Sequence, residues 1–168
     1  HPLDGERHDY ILGIKVIPGG DPKVDGFESP RNRALAEATQ DWVLWIDTDE
    51  KLLQPEKLSK YLRPNVFDGY SIRQHHFAVD TTFDPDLPVR LFRNNGRMKF
   101  FGMIHEHPET ALNEGPGRMI VLNDVHIAHT GYLIESGRQV RFNRNLPLLA
   151  RDIEKYPTRK LQKHFIMR

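Results

Sequence analysis

The sequence predicts a single α/β domain over residues 1–168, a mixed sheet flanked by helices, and three observations carry that prediction. Short apolar runs of strand length alternate with helical spacing in the first third of the chain. Strand-like segments separated by turn residues fill the middle. From about residue 136 to 168 the apolar residues recur at helical intervals, which predicts a C-terminal helical segment. A length of 168 residues with 38% hydrophobic residues fits one domain with a core.

Turn and capping residues mark the ends of the first predicted strand and helix. Ile11–Ile17 is short and β-branched and ends at Pro18-Gly19-Gly20, which predicts a buried strand followed by a turn. Ser29 and Pro30 then form an N-cap and first helical residue, so we expect a helix from there to about Thr39. The near-continuous apolar run Trp42–Ile46 predicts a central strand covered on both faces.

The later elements follow in the same way. Pro55–Leu62 has helical spacing and a proline near its start. Asn94-Asn95-Gly96 predicts a turn between two strands. The predicted strands of this part are Gly69–Val79, Val89–Arg93, Lys99–Ile104 and Met119–Ala128. In the C-terminal helix the predicted apolar stripe is Phe142, Leu146, Leu149 and Ile153, interrupted by Pro147.

Composition limits the functional classes. Lys plus Arg (24) nearly equal Asp plus Glu (23), so there is no global field that favours nucleic acid or an anionic membrane. There is no apolar run long enough to span a bilayer, and nothing near the N-terminus reads as a signal peptide. The chain has no cysteine, which favours a reducing compartment, so we expect a soluble cytoplasmic protein. It begins with His1 rather than Met, which fits a processed or partial chain.

The stretch W-V-L-W-I-D-T-D-E, Trp42 to Glu50, places three carboxylates where an apolar strand ends. Ligands of open α/β sheets bind at the carboxyl ends of strands. Clustered carboxylates repel one another unless a cation neutralises them, and hard oxygen ligands suit Mg²⁺ or Mn²⁺ with substrate phosphates. Asp47, Asp49 and Glu50 therefore form a candidate metal and phosphate site. The alternative is an acidic loop that caps the following helix.

Four motifs in order resemble one known family. They are S-P-R-N-R-A-L-A-E-A-T-Q-D-W-V-L-W-I-D-T-D-E (29–50), P-V-R-L-F-R-N (88–94), G-M-I-H-E (102–106) and H-T-G-Y (129–132). Together they are similar to the motifs of inverting GT-A glycosyltransferases of family 2 and cover roughly Phe27 to Leu149. The resemblance implies a GT-A-like, Rossmann-like fold, and a sugar transferred from a nucleotide-sugar donor to an acceptor such as a glycan, a lipid-linked group or a protein.

The resemblance also implies roles for particular residues. Asp47 and Asp49 would bridge Mn²⁺ or Mg²⁺, the donor diphosphate and the sugar, as the family's D-x-D pair does. His129 resembles the late histidine that completes the metal or diphosphate site in some members; the alternative is a strand-end histidine bonded to backbone. Glu106 stands where the group often has an acidic residue facing the acceptor, and an inverting transfer needs a base there.

Further residues are candidates for substrate binding. Arg31 and Asn32 lie in the first turn of the predicted helix, where anions are favoured, and are expected to contact donor phosphate or sugar. Arg90 and Arg93 would offset leaving-group charge. Tyr132, beside a glycine in a loop, is a candidate for stacking on a sugar. For each arginine, a salt bridge at the surface is the alternative role.

One part of the family pattern is missing from the sequence. Members normally carry a strand, a helix and a second strand with a nucleoside-binding aspartate before the R-N helix, and Asp4, Asp9 and Asp21 lack that setting. The chain is therefore expected to be N-terminally short. The alternative function is a non-catalytic binding or assembly module on a partial or degenerate transferase fold. A zinc hydrolase that uses the histidines ranks third, since H-E-x-x-H spacing is absent.

Overall fold

A computed structural model describes residues 26–63, 66–78, 85–132 and 137–159. Within these ranges the architecture is mixed α/β: a five-stranded sheet, a two-stranded ribbon, two α-helices and one 3-10 helix. The helices are α1 (Glu28–Ala36), the 3-10 helix (Pro55–Lys60) and α2 (Gly137–Lys155). The strands are β1 (Trp42–Leu44), β2 (Glu50–Leu53), β3 (Gly69–Ala78), β4 (Val89–Arg93), β5 (Lys99–Phe101), β6 (His107–Glu109) and β7 (Met119–Tyr132).

The large sheet has the strand order β1-β4-β3-β7-β2. Its two longest strands, β3 and β7, pair in parallel at the centre, and every other pairing is antiparallel. β5 and β6 form the separate antiparallel ribbon, and α1 packs against β5. The prediction of a mixed sheet with helices is confirmed.

The core lies on both faces of the sheet because side chains alternate along each strand. Leu91 and Phe92 are neighbours on β4 and belong to different buried clusters. Leu91 joins Tyr70, Ile72 and residues of β7, under the 3-10 helix. Phe92 packs with Phe100 of β5. The sheet is therefore held between the 3-10 helix on one face and the ribbon with α1 on the other.

The predicted strand Trp42–Ile46 is shorter than expected, and its predicted central position is wrong within the described part of the chain. It ends at Leu44 as β1, an edge strand of this sheet, and its residues are only half buried. The indole N–H of Trp42 donates a hydrogen bond to the Leu62 carbonyl, and the indole N–H of Trp45 donates one to the Val89 carbonyl. A buried indole N–H needs such a partner.

Other boundaries also differ from the predictions. β2 and β6 were not predicted. The short helix predicted over Pro55–Leu62 is present as a 3-10 helix that ends at Lys60. The strand predicted over Lys99–Ile104 stops at Phe101, because Gly102 turns the backbone to a φ of +117°. β7 continues four residues beyond Ala128. The predicted strand Ile11–Ile17 lies outside the described residues.

The buried face of α2 is not the predicted stripe. Phe142 and Leu146 are 58% and 55% exposed, whereas Leu148 and Asp152 are fully buried, and Leu149 packs against the core. The apolar periodicity predicted the helix correctly. The face that packs against the core differs from the predicted apolar stripe, because the Asp152 carboxylate occupies one of the buried positions. Within the described segments, none of the helices is both long and apolar enough to cross a membrane.

Candidate functional site

The loop between β1 and β2 carries the D-x-D motif, and hydrogen bonds between its own residues hold it in a turn. The backbone N–H of Asp47 donates to Glu50 Oε2 at 2.9 Å, and the N–H of Glu50 donates to the Asp47 carbonyl at 3.0 Å. The loop carbonyl of Asp49 accepts both the backbone N–H and the hydroxyl of Thr130 from β7, each at 2.9 Å. These bonds fix the backbone of the motif between β2 and β7.

Glu50 is a buried anchor of this loop. Its side chain is 1% exposed and accepts from Arg90 Nη2 at 2.5 Å and from Gln74 Nε2 at 2.6 Å. Arg90 Nη2 also donates to Gln74 Oε1 at 2.9 Å, which closes a three-residue network across β2, β3 and β4. The expectation that Glu50 stands with the two aspartates at a metal site is wrong: its carboxylate lies in the core and faces Arg90.

Arg31 joins two predicted site residues. Its Nη2 donates to Asp47 Oδ1 at 2.6 Å, and its Nε donates to Glu106 Oε1. Its guanidinium lies over the Trp45 ring at 4.3 Å, and that of Arg90 lies over the same ring at 3.8 Å. The first turn of α1, the D-x-D loop and the Gly102–Glu106 loop therefore meet at Arg31.

Burial and charge act in opposite directions on this group. Burial lowers the pKa of Arg31, but the carboxylates of Glu106 and Asp47 outweigh it and hold that pKa above its usual value. Burial raises the pKa of Glu106, and the nearby Arg31 opposes that rise. For Arg90, burial exceeds the effect of Glu50 and lowers the pKa. The net effect raises the pKa of Glu106, and Arg31 favours the ionised form of its carboxylate against that effect of burial.

The loop that ends in Glu106 is held by buried charges. Asp152 accepts from the Met103 N–H at 2.5 Å and from Arg159 Nη1 at 2.8 Å. Arg159, 2% exposed, also donates to the carbonyls of Ile104 and His105. Glu28 of α1 accepts from the Gly102 N–H at 2.6 Å. Because every peptide from 102 to 105 has a fixed partner, Glu106 is positioned by the end of α2 and the residues that follow it.

Asp49 and His129 form the second half of the site. Glu50 pairs with His129 across β2 and β7, which brings the preceding Asp49 beside the histidine. Asp49 Oδ2 lies 3.3 Å from His129 Nε2. The side chains are 47% and 14% exposed, so this pair faces solvent at the end of the sheet.

The three predicted metal ligands are only partly together. Asp49 and His129 are adjacent, whereas Asp47 is paired with Arg31, and no group of three or more histidine or acidic side chains in the described ranges is arranged to hold a metal. Mg²⁺ commonly takes one or two carboxylates and completes its shell with water and substrate phosphate. Apart from the buried Glu50–Arg90 pair, the site holds three carboxylates, Asp47, Asp49 and Glu106, and one guanidinium, Arg31, which sum to a formal charge of −2. The donor set and the charge fit a divalent cation.

The other predicted residues have different surroundings. Asn32 pairs with the backbone of Phe100, donating at 2.8 Å and accepting at 2.8 Å, and so ties α1 to β5. Arg93 lies over the Trp42 ring and donates to the Phe67 carbonyl. Arg90 is buried, with Nη1 3.9 Å from Asp47 Oδ2. Tyr132 is the last residue of β7 and pairs with Ala78; the prediction for its side chain lies outside the described part.

Several residues of this site were missed by sequence reasoning. Trp45 was assigned to the core, although it lies under both arginines. Gln74, Asp152 and Arg159 carry no motif, and their burial is the signal that marks them. His76 was considered only for zinc. In the sequence, these buried polar residues are indicated only by their position within an otherwise apolar helical or strand pattern.

Comparison with known proteins finds distant similarity to a glycosyltransferase. No family model matches the chain. It is 28% identical over 118 residues to the SPbeta prophage-derived glycosyltransferase SunS of Bacillus subtilis, and equally to glycosyltransferase SunS of Bacillus phage SPbeta, with 63% of this chain and 25% of each relative covered. It is 32% identical over 91 residues to a TPR repeat-containing protein of Synechococcus elongatus, with 52% of this chain and 22% of that protein covered.

The chain spans about a quarter of the length of the curated relatives that it matches. The similarity to SunS supports a distant relationship between this chain and a glycosyltransferase.

Proposed function

We propose that this chain is part of a metal-dependent, inverting glycosyltransferase of the GT-A, family 2 type, and that it holds the side of the site that binds diphosphate and acceptor. One observation carries the proposal: Arg31 joins Asp47 of the D-x-D motif to Glu106, two residues 59 positions apart that were assigned to one active site from motifs alone. The distant similarity to a glycosyltransferase supports the same function.

In the proposed reaction Glu106 is the base. An acceptor O–H, or another nucleophile, loses its proton to the Glu106 carboxylate while its lone pair forms the bond to the anomeric carbon. The bond from that carbon to the nucleoside diphosphate breaks, and the diphosphate leaves with the electron pair. The ion pair with Arg31 supports this role, because the guanidinium favours the ionised carboxylate, which is the form that accepts a proton, against the burial that raises the pKa of Glu106.

The departing diphosphate needs positive charge near it. Asp49 and His129 are the proposed ligands of a Mn²⁺ or Mg²⁺ ion, with Asp47 at the same edge, and the ion would offset the charge that develops on the leaving group. Arg90, buried behind Asp47 and paired with Glu50, is the proposed second positive group on that side. Arg31, Asn32, Arg93 and Tyr132 remain proposed contacts to donor or acceptor.

The test is thermal unfolding with Mn²⁺ and the diphosphates of uridine, guanosine, cytidine and thymidine in turn, for the wild-type chain and for Asp49→Asn. Ligand at 100 times its dissociation constant adds about 2.7 kcal/mol to the free energy of unfolding. For a domain of this size that raises Tm by about 5 to 10 °C. The proposal expects a rise with one nucleotide that needs metal and disappears in Asp49→Asn. Asp124→Asn, at a half-buried aspartate paired with Lys60 and away from the D-x-D loop, is the matched control.

A second function is favoured by one observation. Val140, Phe142, Leu146 and Ile153 of α2 are 67%, 58%, 55% and 39% exposed, and exposed apolar residues in such number often mark a contact surface. A non-catalytic binding or assembly module would use this surface. Its expected result is a folded protein whose Tm does not respond to any nucleotide with metal.

A further inference from the structure

Among the described residues, two histidine pairs lie across the central strands, and one of them continues to carboxylates on both sides. His75 Nε2 lies 3.1 Å from His126 Nδ1, and His76 Nδ1 lies 2.8 Å from His129 Nδ1. The second pair arises because His76 and His129 are register partners on the parallel strands β3 and β7. Both rings of this pair continue outward, His76 to Asp86 and His129 to Asp49.

Asp86 holds the outer end of this row. Its backbone exchanges two hydrogen bonds with Gln74, at 2.9 and 3.2 Å, which fixes the segment beside β3. Its Oδ2 lies 2.9 Å from His76 Nε2. The side chain of His76 is 8% exposed and that of Asp86 is 72% exposed. A buried ring is therefore oriented by a carboxylate that reaches it from the surface.

The partners decide which ring nitrogens carry protons. An ionised carboxylate only accepts hydrogen bonds, so the bond between His76 and Asp86 requires the proton on His76 Nε2. A neutral imidazole carries one N–H, so Nδ1 of a neutral His76 is an acceptor. The proton between the two Nδ1 atoms then belongs to His129. A neutral His129 protonated at Nδ1 presents the lone pair of Nε2 toward Asp49.

A lone pair and a carboxylate oxygen 3.3 Å apart repel each other unless a positive charge lies between them. The separation is long for a charge-assisted hydrogen bond, which is about 2.7 to 2.9 Å. It fits two adjacent ligands of one ion, since atoms about 2.1 Å from an octahedral cation lie about 3 Å from each other. The separation of Asp49 and His129 is thus compatible with two ligands of one ion, and the tautomer of His129 decides between that arrangement and a hydrogen bond from Nε2–H.

We propose that His76, oriented by Asp86, is the positioning residue that fixes His129 in the Nδ1–H tautomer, so that His129 Nε2 and Asp49 Oδ2 bind a divalent cation together. This inference rests on the metal-dependent part of the proposed function and adds two residues to it. Metal-bound histidines commonly donate their second ring N–H to a neighbouring group that orients the ring, and loss of such a group weakens metal binding about 10- to 100-fold.

The first test reads the tautomer without metal, nucleotide or acceptor. The full chain, labelled with ¹⁵N at its histidines, is studied by NMR at about pH 8, where an imidazole is ordinarily neutral. The expected spectrum shows His129 protonated at Nδ1 and not at Nε2. In Asp86→Ala, which changes an exposed side chain and leaves the strand intact, we expect His129 to become a mixture of both tautomers. A wild-type His129 protonated at Nε2 would overturn the proposal.

The second test measures the dissociation constant of Mn²⁺ alone, from the EPR signal of the free ion. His76→Phe is expected to raise it about 10- to 100-fold. His75→Phe is the matched control, because His75 lies next to His76 on β3 and also pairs with a histidine, but is not in this row. The control is expected to bind Mn²⁺ as the wild type does. Circular dichroism and Tm verify that both variants are folded.

The outcomes separate this inference from the function it rests on. Equal Mn²⁺ affinity in His76→Phe and His75→Phe overturns the role of His76 and leaves a metal-dependent transferase in place. A wild-type chain that does not bind Mn²⁺ at millimolar concentration overturns the cation site. Mn²⁺ binding that depends on His76, in a chain with no nucleotide response, supports the inference while the proposed sugar transfer fails.

Discussion

Replacement of Glu50 by Met gives the sharpest prediction on stability. The substitution removes the buried partner of Arg90, whose own side chain is 4% exposed and therefore cannot reach bulk water without moving the sheet. Breaking a buried ion pair on one side costs about 3 to 5 kcal/mol, because the remaining charge is buried without compensation. Gln74 and the Asp47 N–H lose an acceptor as well.

The loss of unfolding free energy in Glu50→Met is measurable by urea unfolding followed by tryptophan fluorescence. A domain of this size has an m-value of about 2 kcal/mol/M, so the midpoint is expected to fall by about 1.5 to 2.5 M with m unchanged. The same chain offers a matched control. Lys60→Met removes one side of an ion pair with Asp124 whose side chains are 52% and 30% exposed, and its midpoint is expected to stay with the wild type.

A combined variant tests the reason for the loss. Glu50→Met with Gln74→Leu and Arg90→Met removes all three side chains of the network, so that of its bonds only the one from the Asp47 N–H lacks an acceptor. Apolar replacement of a whole buried network is often neutral or stabilising, so we expect most of the lost stability to return. A single variant with a midpoint within about 0.5 M of the wild type, or a triple variant less stable than the single one, would refute the reasoning.

Three further predictions follow from the same geometry. Glu106→Gln should reduce sugar transfer by about 10² to 10⁴ with little change in Tm, and a steady-state assay that finds full activity contradicts the assignment of the base. Burial raises the pKa of Glu106, and Arg31 opposes that rise, so the rate of sugar transfer should fall with decreasing pH at values above the usual carboxyl range. Arg31→Met removes the opposing charge and should move this loss of activity to higher pH. A pH profile that moves to lower pH in Arg31→Met argues against the ion pair. Arg159→Met should lower the free energy of unfolding by about 3 kcal/mol, since it removes the guanidinium that offsets the charge of the buried Asp152 carboxylate. Denaturant unfolding of Arg151→Met, on an exposed turn of α2, supplies the comparison.

Local patterns predicted the elements whose signals lie in adjacent residues. Val89–Arg93 was predicted with its exact ends, because a proline precedes it and Asn-Asn-Gly follows. α2 was predicted within a residue of its start. β2 was not, because Glu50–Leu53 has no strand-like alternation and exists only as the partner of β7. β7 likewise extends to Tyr132 because β2 and β3 pair with it on both sides.

What the sequence determined by itself is the mixed α/β class and the motifs that brought Asp47, Glu106, Arg31 and His129 into one hypothesis. Tertiary structure alone decided the use of each carboxylate. Glu50 and Asp49 are neighbours in sequence, yet one faces a buried arginine and the other faces solvent beside a histidine. The physical reason is that strands distant in sequence bury each carboxylate and supply its partners. The surroundings of a charged side chain, and therefore its role, are set only when those strands have paired.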